Sequence, residues 1–214
     1  MEKKKILEFQ NISKSFVGVK ALSDVSFSVR EGEVHALLGE NGAGKSTLMK
    51  ILSGAYMKDA GKVFLDGQEI QVKNTKESER LGISIIYQEL NLIPELSVAE
   101  NIFLDRQPKR NGFIDWKQMN QDAEKILEGI DMKIPPKMIV STLSVAQRQM
   151  VEIAKAVSLG ARLVIMDEPT STLTEGETRK LFQVISSLKQ RGITIIYISH
   201  RMDEIFEICD SYTI

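Results

Sequence analysis

Three runs in this chain are apolar nearly throughout: "ISIIY" (83–87), "LVIM" (163–166) and "ITIIYIS" (193–199). Short apolar runs without alternation predict strands buried on both faces. "VSFSV" (25–29) and "VHALL" (34–38) are two further β-branched strand candidates. Between them the apolar residues follow a helical period. Met150, Ile153, Ala154 and Val157 fall on one face, and Leu181, Val184, Ile185 and Leu188 on another. Buried strands alternating with helices predict an α/β fold with a mainly parallel central sheet. The first 75 residues read differently: short alternating strands and turn signals such as Asp66-Gly67 predict an N-terminal antiparallel β layer. From about 89 to 160 the pattern is mostly helical, broken by "RQPKRNGF" (106–113) and "PP" (135–136). That stretch is expected to be an α-helical subdomain inserted in the sheet.

Composition narrows the class only slightly. The chain has 214 residues, 43% hydrophobic and 27% charged, with a formal net charge of −1. That length suits one domain with room for a subdomain and a substantial core. The charge balance gives no reason to expect bulk nucleic-acid binding. No apolar run approaches the roughly 18–20 residues of a membrane span, and no signal-peptide apolar region follows Lys3–Lys5. The single cysteine, Cys209, has no internal disulfide partner and reads as a small buried apolar side chain.

The chemistry starts at "GENGAGKST" (39–47), which follows the strand "VHALL" and precedes the helical "LMKILSG". This is G-x-x-x-x-G-K-S in the strand–loop–helix setting that a phosphate-binding loop needs. Gly39, Gly42 and Gly44 let backbone N–H groups wrap a phosphate without Cβ clashes. A helix beginning near Lys45 adds its positive dipole end. Lys45 is expected to reach the β and γ phosphates of a nucleotide, and the Ser46 hydroxyl to bind Mg²⁺. The whole loop, with Glu40, Asn41, Ala43 and Thr47, is the expected nucleotide-binding segment.

Other polar residues sit at the ends of apolar strands. Ligands of an open α/β sheet bind beyond the carboxyl ends of its strands. Asp167, ending "RLVIMD", is placed to hold Mg²⁺ directly or through water. Glu168, one residue further out, can orient or deprotonate an attacking water. The alternative for this pair is a solvated turn. His200, after "ITIIYIS", can donate to a γ-phosphate; alone it would read as a structural histidine. Gln88, after "ISIIY", can bind Mg²⁺ or the attacking water, or be a surface glutamine. His35 lies inside a strand and reads as structural. "STLSVAQRQM" opens with Ser144 and Gln147 at capping-box spacing. Ser144 should cap its helix and leave free N–H groups and a positive dipole facing any anion there.

Together these residues resemble the ATP-binding cassette ATPases. The order matches that family: an aromatic residue (Phe16), Walker A (39–46), the Q-loop Gln88, the signature "LSVAQ" (143–147), Walker B (163–168), the D-loop (171–174) and the switch His200. The resemblance covers nearly the whole chain. It implies a P-loop NTPase core, ATP and Mg²⁺, adenine stacking on Phe16, and Ser144, Val145, Ala146 and Gln147 acting on the nucleotide of a partner cassette. The alternative for Phe16 is a core phenylalanine. The family's usual signature is LSGGQ, so Val145 and Ala146 replace two glycines.

"YQELNLIPELSVAENIFL" (87–104), "GFIDWKQM" (112–119), "QMVEIAKA" (149–156) and "STLTEGE" (171–177) carry a narrower resemblance. They look like the first cassette of ATPase subunits driving ribose- and galactose-type bacterial importers, where Thr174 stands in place of a more general Asp. That implies a second cassette, a membrane permease contacted through the segment after Gln88, an indirect link to a sugar-binding protein, and a peripheral place on the cytoplasmic face of the membrane. It also implies a fragment holding one cassette, since "CDSYTI" stops in what should be a late strand. A soluble cassette acting on ribosomes or DNA and a degenerate regulatory cassette remain as alternatives at this point.

Overall fold

Alternation in the first segment builds one sheet. A computed structural model describes residues 4–40 and 42–214. β1 (Lys5–Phe16) and β2 (Val19–Arg30) pair antiparallel. The pairing runs far beyond "VSFSV" because a bulge between Phe9 and Ile12 absorbs the irregular residues. Asn11 sits there at φ 53° and its side-chain amide donates to Asp24 Oδ1 at 2.7 Å. After β3 (Val34–Leu37) and α1 (Lys45–Leu52) come β4 (Ala60–Leu65) and β5 (Gln68–Ile70). These two are joined by Asp66 and Gly67 at φ 52° and 81°, the left-handed pair that a two-residue hairpin turn requires. The first sheet has the order β2-β1-β4-β5.

The rest of the chain runs as α2 (Thr75–Arg80), β6 (Ile83–Ile86), α3 (Val98–Ile102), β7 (Lys109–Arg110), β8 (Phe113–Ile114), α4 (Trp116–Gly129), α5 (Val145–Ser158), β9 (Leu163–Asp167), α6 (Glu175–Gln190), β10 (Thr194–Ile198), α7 (Met202–Ile208) and β11 (Ser211–Thr213). The second sheet has the order β11-β3-β10-β9-β6. β10 pairs in parallel with both β3 and β9, and β11 in parallel with β3. The expected α/β fold with an antiparallel β layer and a parallel sheet is therefore observed. Inside the mostly helical stretch the "RQPKRNGF" break is a small hairpin, β7–β8, turned by Asn111 and Gly112 at φ 53° and 85°.

The chain divides into two compact units. The first runs through Ile85 and includes Ala161–Glu168 and Leu188–Ile214; the second is Ile86–Gly160 with Pro169–Ser187. In the first, one core joins β1, β2 and β4 to α1 and the parallel strands: Leu7, Phe9 and Val63 share it with Leu48, Leu52, Ile165 and Ile196. α1 is thus anchored by its buried Leu48, Met49, Ile51 and Leu52, which fixes the direction of its N-terminus. In the second, α3, α4 and α5 pack together, with Met150, Ile153 and Ala154 buried as the helical period predicts.

His35 is fully interior and structural. Its ring nitrogens lie 2.8 Å from Ser211 Oγ and 2.9 Å from Thr213 Oγ1, clamping β3 to β11. Burial holds its pKa below the ordinary histidine value despite the neighbouring Glu33. Burial pushes the Cys209 thiol up to about 12, so this side chain is an unreactive thiol at neutral pH.

Candidate functional site

The register of the parallel sheet assembles one rim. Ile198 of β10 aligns with Leu37 of β3 and with Asp167 of β9. Three strand ends therefore lie in a row, and each leads into a chemically equipped segment: the glycine loop after β3, Glu168 after β9, Ser199-His200 after β10. The sequence separation between these segments is large, and parallel pairing alone brings them together.

The loop is built to start α1 without a side-chain cap. Gly44 is the N-cap, in the left-handed region at φ 92°, and as a glycine it brings no side chain to cap the first helical N–H groups. Those donors face outward for an acceptor from elsewhere. A Cβ on Gly44 would lie 2.5 Å from Ala21 O and 2.7 Å from Leu22 Cδ2. Close packing against β2 therefore demands glycine there independently of any phosphate. A Cβ on Gly42 would meet nothing within 4 Å, so the loop is open above it. The Lys45 ammonium folds back over the loop, donating to Gly39 O at 2.7 Å and Glu40 O at 3.0 Å. Glu40 O also accepts from Ala43 N at 3.1 Å. Ser46 is exposed and Thr47 half-buried. Asn41 lies outside the described residues.

The acidic pair is not a solvated turn. β9 ends at Asp167, and Glu168 turns the chain in the left-handed region at φ 46°, a conformation that costs a non-glycine residue about 1–2 kcal/mol. Glu168 N donates to Ile198 O at 2.9 Å, locking this turn to β10. The Glu168 carboxylate then meets His200, whose Nδ1 lies 3.1 Å from Glu168 Oε1. The Glu168 side chain is 20% exposed and that of His200 66% exposed, so the histidine projects outward from a seated acid. Burial raises the Asp167 pKa, and the adjacent Glu168 charge raises it further; Lys45 and Lys50 oppose both.

The raised Asp167 pKa has a measurable consequence. A carboxyl whose folded pKa is raised stabilises the fold fully only while protonated, and the advantage fades as pH rises through the raised value. Asp167→Asn, which removes the charge, should therefore melt above the wild type at neutral pH in divalent-free buffer. The gap should close as pH falls through the carboxylate range. Thermal melts across pH would test it; an equal or lower Tm at neutral pH would show that the Asp167 charge is not a cost.

Phe16 is a surface residue, 41% exposed, so it is not a core phenylalanine. Its ring is held edge-on to Tyr56 at 5.2 Å between centroids, with Lys14 Nζ 5.5 Å from the Phe16 centroid. Lys50 Nζ in turn lies 5.2 Å from the Tyr56 centroid. Tyr56 and Lys50 were not legible as site neighbours from pattern alone, since neither sits in a motif.

In the second unit Gln88 is exposed, two residues past the end of β6. The loop beyond it is pinned from two sides. Asn91 N donates to Glu152 Oε1 of α5 at 2.6 Å. Ile93 N donates to Asn101 Oδ1 at 2.7 Å, and the Asn101 amide donates back to Ile93 O at 3.0 Å and Ser97 O at 3.0 Å. Burial pushes the Glu152 pKa up. At α5 the expected capping box is present in full: Gln147 N donates to Ser144 Oγ at 3.2 Å and Ser144 N to Gln147 Oε1 at 3.0 Å. The first two helical N–H groups, of Val145 and Ala146, have no acceptor within the helix. Val145 is 44% exposed and Ala146 9%, so the larger replacement points out and the smaller one in. Thr174 acts in the same way on α6: Glu177 accepts from Thr174 N at 3.0 Å and from its hydroxyl at 2.8 Å.

A parallel sheet, a glycine loop leading into a buried helix, and acids ending β9, one strand removed from the loop's own strand, define a P-loop α/β fold. A family model described as ABC transporter matches residues 22–171, and the chain belongs to that family. Among curated proteins it is similar to the putative ribose/galactose/methyl galactoside import ATP-binding protein 1 of Agrobacterium fabrum, with 56% identity over 213 residues, 100% of this chain and 42% of that protein. It is 54% identical to a galactose/methyl galactoside import ATP-binding protein of Clostridium perfringens, over 98% of this chain and 41% of that protein. A ribose import ATP-binding protein of Caldanaerobacter subterraneus is 53% identical, over 98% and 42%. The chain thus spans about 42% of the length of these relatives. Among solved structures it is similar to the ADP conformation of an ATP-binding cassette of an ABC transporter, at a TM-score of 0.86 and 31% identity, covering 96% of this chain and 85% of that one.

Proposed function

We propose that this chain is an ATP-binding and ATP-hydrolysing motor cassette that powers import of a monosaccharide through a membrane permease. The single observation that carries the proposal is the rim on which the β3 loop, Glu168 and His200 converge, with His200 Nδ1 3.1 Å from Glu168 Oε1. The relatives named for ribose and galactose import support the sugar class. Those relatives are more than twice as long, which supports a second cassette as the working partner. No helix among the described residues is long and apolar enough to cross a membrane. The cassette is placed peripherally on the cytoplasmic face, held by the permease. A separate sugar-binding protein would supply the cargo.

The residues fit nucleotide and Mg²⁺. The open N–H groups before α1 and the Lys45 ammonium receive the β and γ phosphates. Ser46 and Asp167 offer hard oxygen donors. When bound, Mg²⁺ supplies charge neutralisation at the β and γ phosphates. Phe16, flanked by Tyr56, presents a ring face for adenine. Glu168 takes up or orients the proton of the water that attacks the γ-phosphorus, and the β–γ bridging oxygen leaves with ADP. His200, steadied by Glu168, donates to a γ-phosphate oxygen. The capped N-terminus of α5, with Ser144, Val145, Ala146 and Gln147, faces the phosphate of the partner cassette. The loop after Gln88, pinned by Asn101 and Glu152, is the surface offered to the permease.

A mixing experiment tests the two-cassette reading. Lys45→Ala in one chain and Ser144→Arg in another should each be inactive alone. In a mixed or linked pair, one site joins an intact phosphate loop to an intact signature, so mixing should restore hydrolysis. If Ser144 only caps its own helix, Ser144→Arg should cost stability of about 0.5–2 kcal/mol and leave hydrolysis per folded molecule intact. That result would reject the cross-cassette role.

A further inference from the structure

β10 is buried along its whole length, yet it contains a phenol. Tyr197 is 0% exposed, and the nearby Glu204 on α7 is 2% exposed. A buried hydroxyl and a buried carboxylate each require a partner. Here they are parts of one cluster. The Tyr197 hydroxyl donates to Glu204 Oε2 at 2.7 Å, and the Ser199 hydroxyl donates to the same oxygen at 3.0 Å. Arg201 Nη1 lies 3.0 Å from Glu204 Oε1. Arg201 N closes the cluster by donating to Ser199 Oγ at 3.1 Å.

The residues tied to Glu204 are those immediately before and after His200. His200 itself makes no part of the cluster and reaches outward to Glu168. Stability alone does not account for such an arrangement. An apolar side chain facing phenylalanine would fill the same space, and replacing buried ionic groups by well-packed apolar ones is often neutral or stabilising. What the cluster adds is a defined path for residues 199–201. That path sets where the imidazole projects from an otherwise exposed turn.

We propose that Glu204 is a positioning residue for His200: it holds Ser199 and Arg201 so that the imidazole stands against Glu168 before any nucleotide arrives. The inference deepens the ATP-hydrolysis reading and rests on it for its kinetic consequence. Its geometric content stands apart from that reading. Removing the carboxylate should free the turn and misplace the imidazole, and a misplacement of this order can cost about 10²-fold in rate.

The test combines a thermodynamic cycle with imidazole NMR. Glu204→Ala should lower kcat by roughly 10²-fold with KM for ATP within about twofold, because the phosphate loop is untouched. Glu204→Gln, which keeps an acceptor for Tyr197 and Ser199, should lose less and guards against a misfolded alanine variant. In a His200→Ala background Glu204→Ala should cost nothing further, since its effect travels through the missing ring. An equal loss in both backgrounds would overturn the proposal. In nucleotide-free protein the ¹⁵N imidazole signals of His200 should shift or broaden in both Glu204 variants, while those of His35 stay fixed. Movement of both histidines, or of neither, would overturn it as well. If the wild type hydrolyses no ATP while His200 alone responds, the hydrolysis reading fails and the positioning role stands.

Discussion

Glu168→Gln is expected to lower ATP turnover by about 10²–10⁴-fold, the range of a lost general base, while nucleotide affinity is retained. The geometry makes the substitution clean. Glu168 is held by its own backbone, whose N–H donates to Ile198 O at 2.9 Å, so the turn does not depend on the carboxylate. A glutamine carbonyl can still face His200 Nδ1, now 3.1 Å from Oε1. Only the negative charge and the proton-accepting oxygen are lost. Loss of that charge also relieves Asp167, whose pKa is raised by burial and then by Glu168. Asp167 should therefore ionise more readily, and cation-dependent nucleotide binding should hold or tighten. Phosphate release and nucleotide titration on the same preparation separate the two quantities. Turnover near the wild-type rate would remove Glu168 from the chemistry. A parallel collapse of binding would make it a structural acid.

Lys45→Ala should act on the other quantity. Hydrogen bonds to charged groups are worth about 1.5–3 kcal/mol, so nucleotide affinity should fall roughly 10- to 100-fold. Two features argue for the upper part of that range. The ammonium spans Gly39 O and Glu40 O at 2.7 and 3.0 Å, so its removal should also loosen the loop proposed to receive phosphate. It is one of the two cations that oppose the raised pKa of Asp167, so without it the acid is less ready to hold a cation. Titration calorimetry with ATP and Mg²⁺ would read the change. α1 remains anchored by Leu48, Met49, Ile51 and Leu52, so the melting temperature of the free protein should move little. Unchanged affinity would place the phosphate elsewhere.

Much of this site was legible locally. The phosphate loop can be read from glycine spacing between a strand and a helix. Capping of α5 by Ser144 and Gln147 reflects side-chain reach across one turn. Thr174 could have been read in the same way, because Thr-Glu-Gly-Glu has the spacing of a capping box; Thr and Asp both serve as N-caps. The Asp66-Gly67 turn needed only the preference of those residues for positive φ. Less was legible where a residue's surroundings come from distant strands. A phenylalanine at position 16 fits a core or a surface equally well by sequence, and only its exposure in the folded sheet decided for the surface. Tyr197 carried a signal, a phenol inside a nearly apolar strand, but not the identity of its partner.

The amino-acid sequence by itself determined the elements, their caps and turns, and the chemical groups at strand ends, because each of these depends on neighbours within a few residues. Only the tertiary structure decided which ends stand side by side. Unbroken apolar runs say which strands are buried but are silent on their order, and the order β3-β10-β9 skips widely along the chain. Parallel hydrogen bonding across that order is what brings Glu168 to His200 and sets both beside the glycine loop. The buried carboxylate of Glu204, unremarkable between Asp203 and Ile205, became a partner of Tyr197, Ser199 and Arg201 only once α7 packed back on β10 and withdrew it from water.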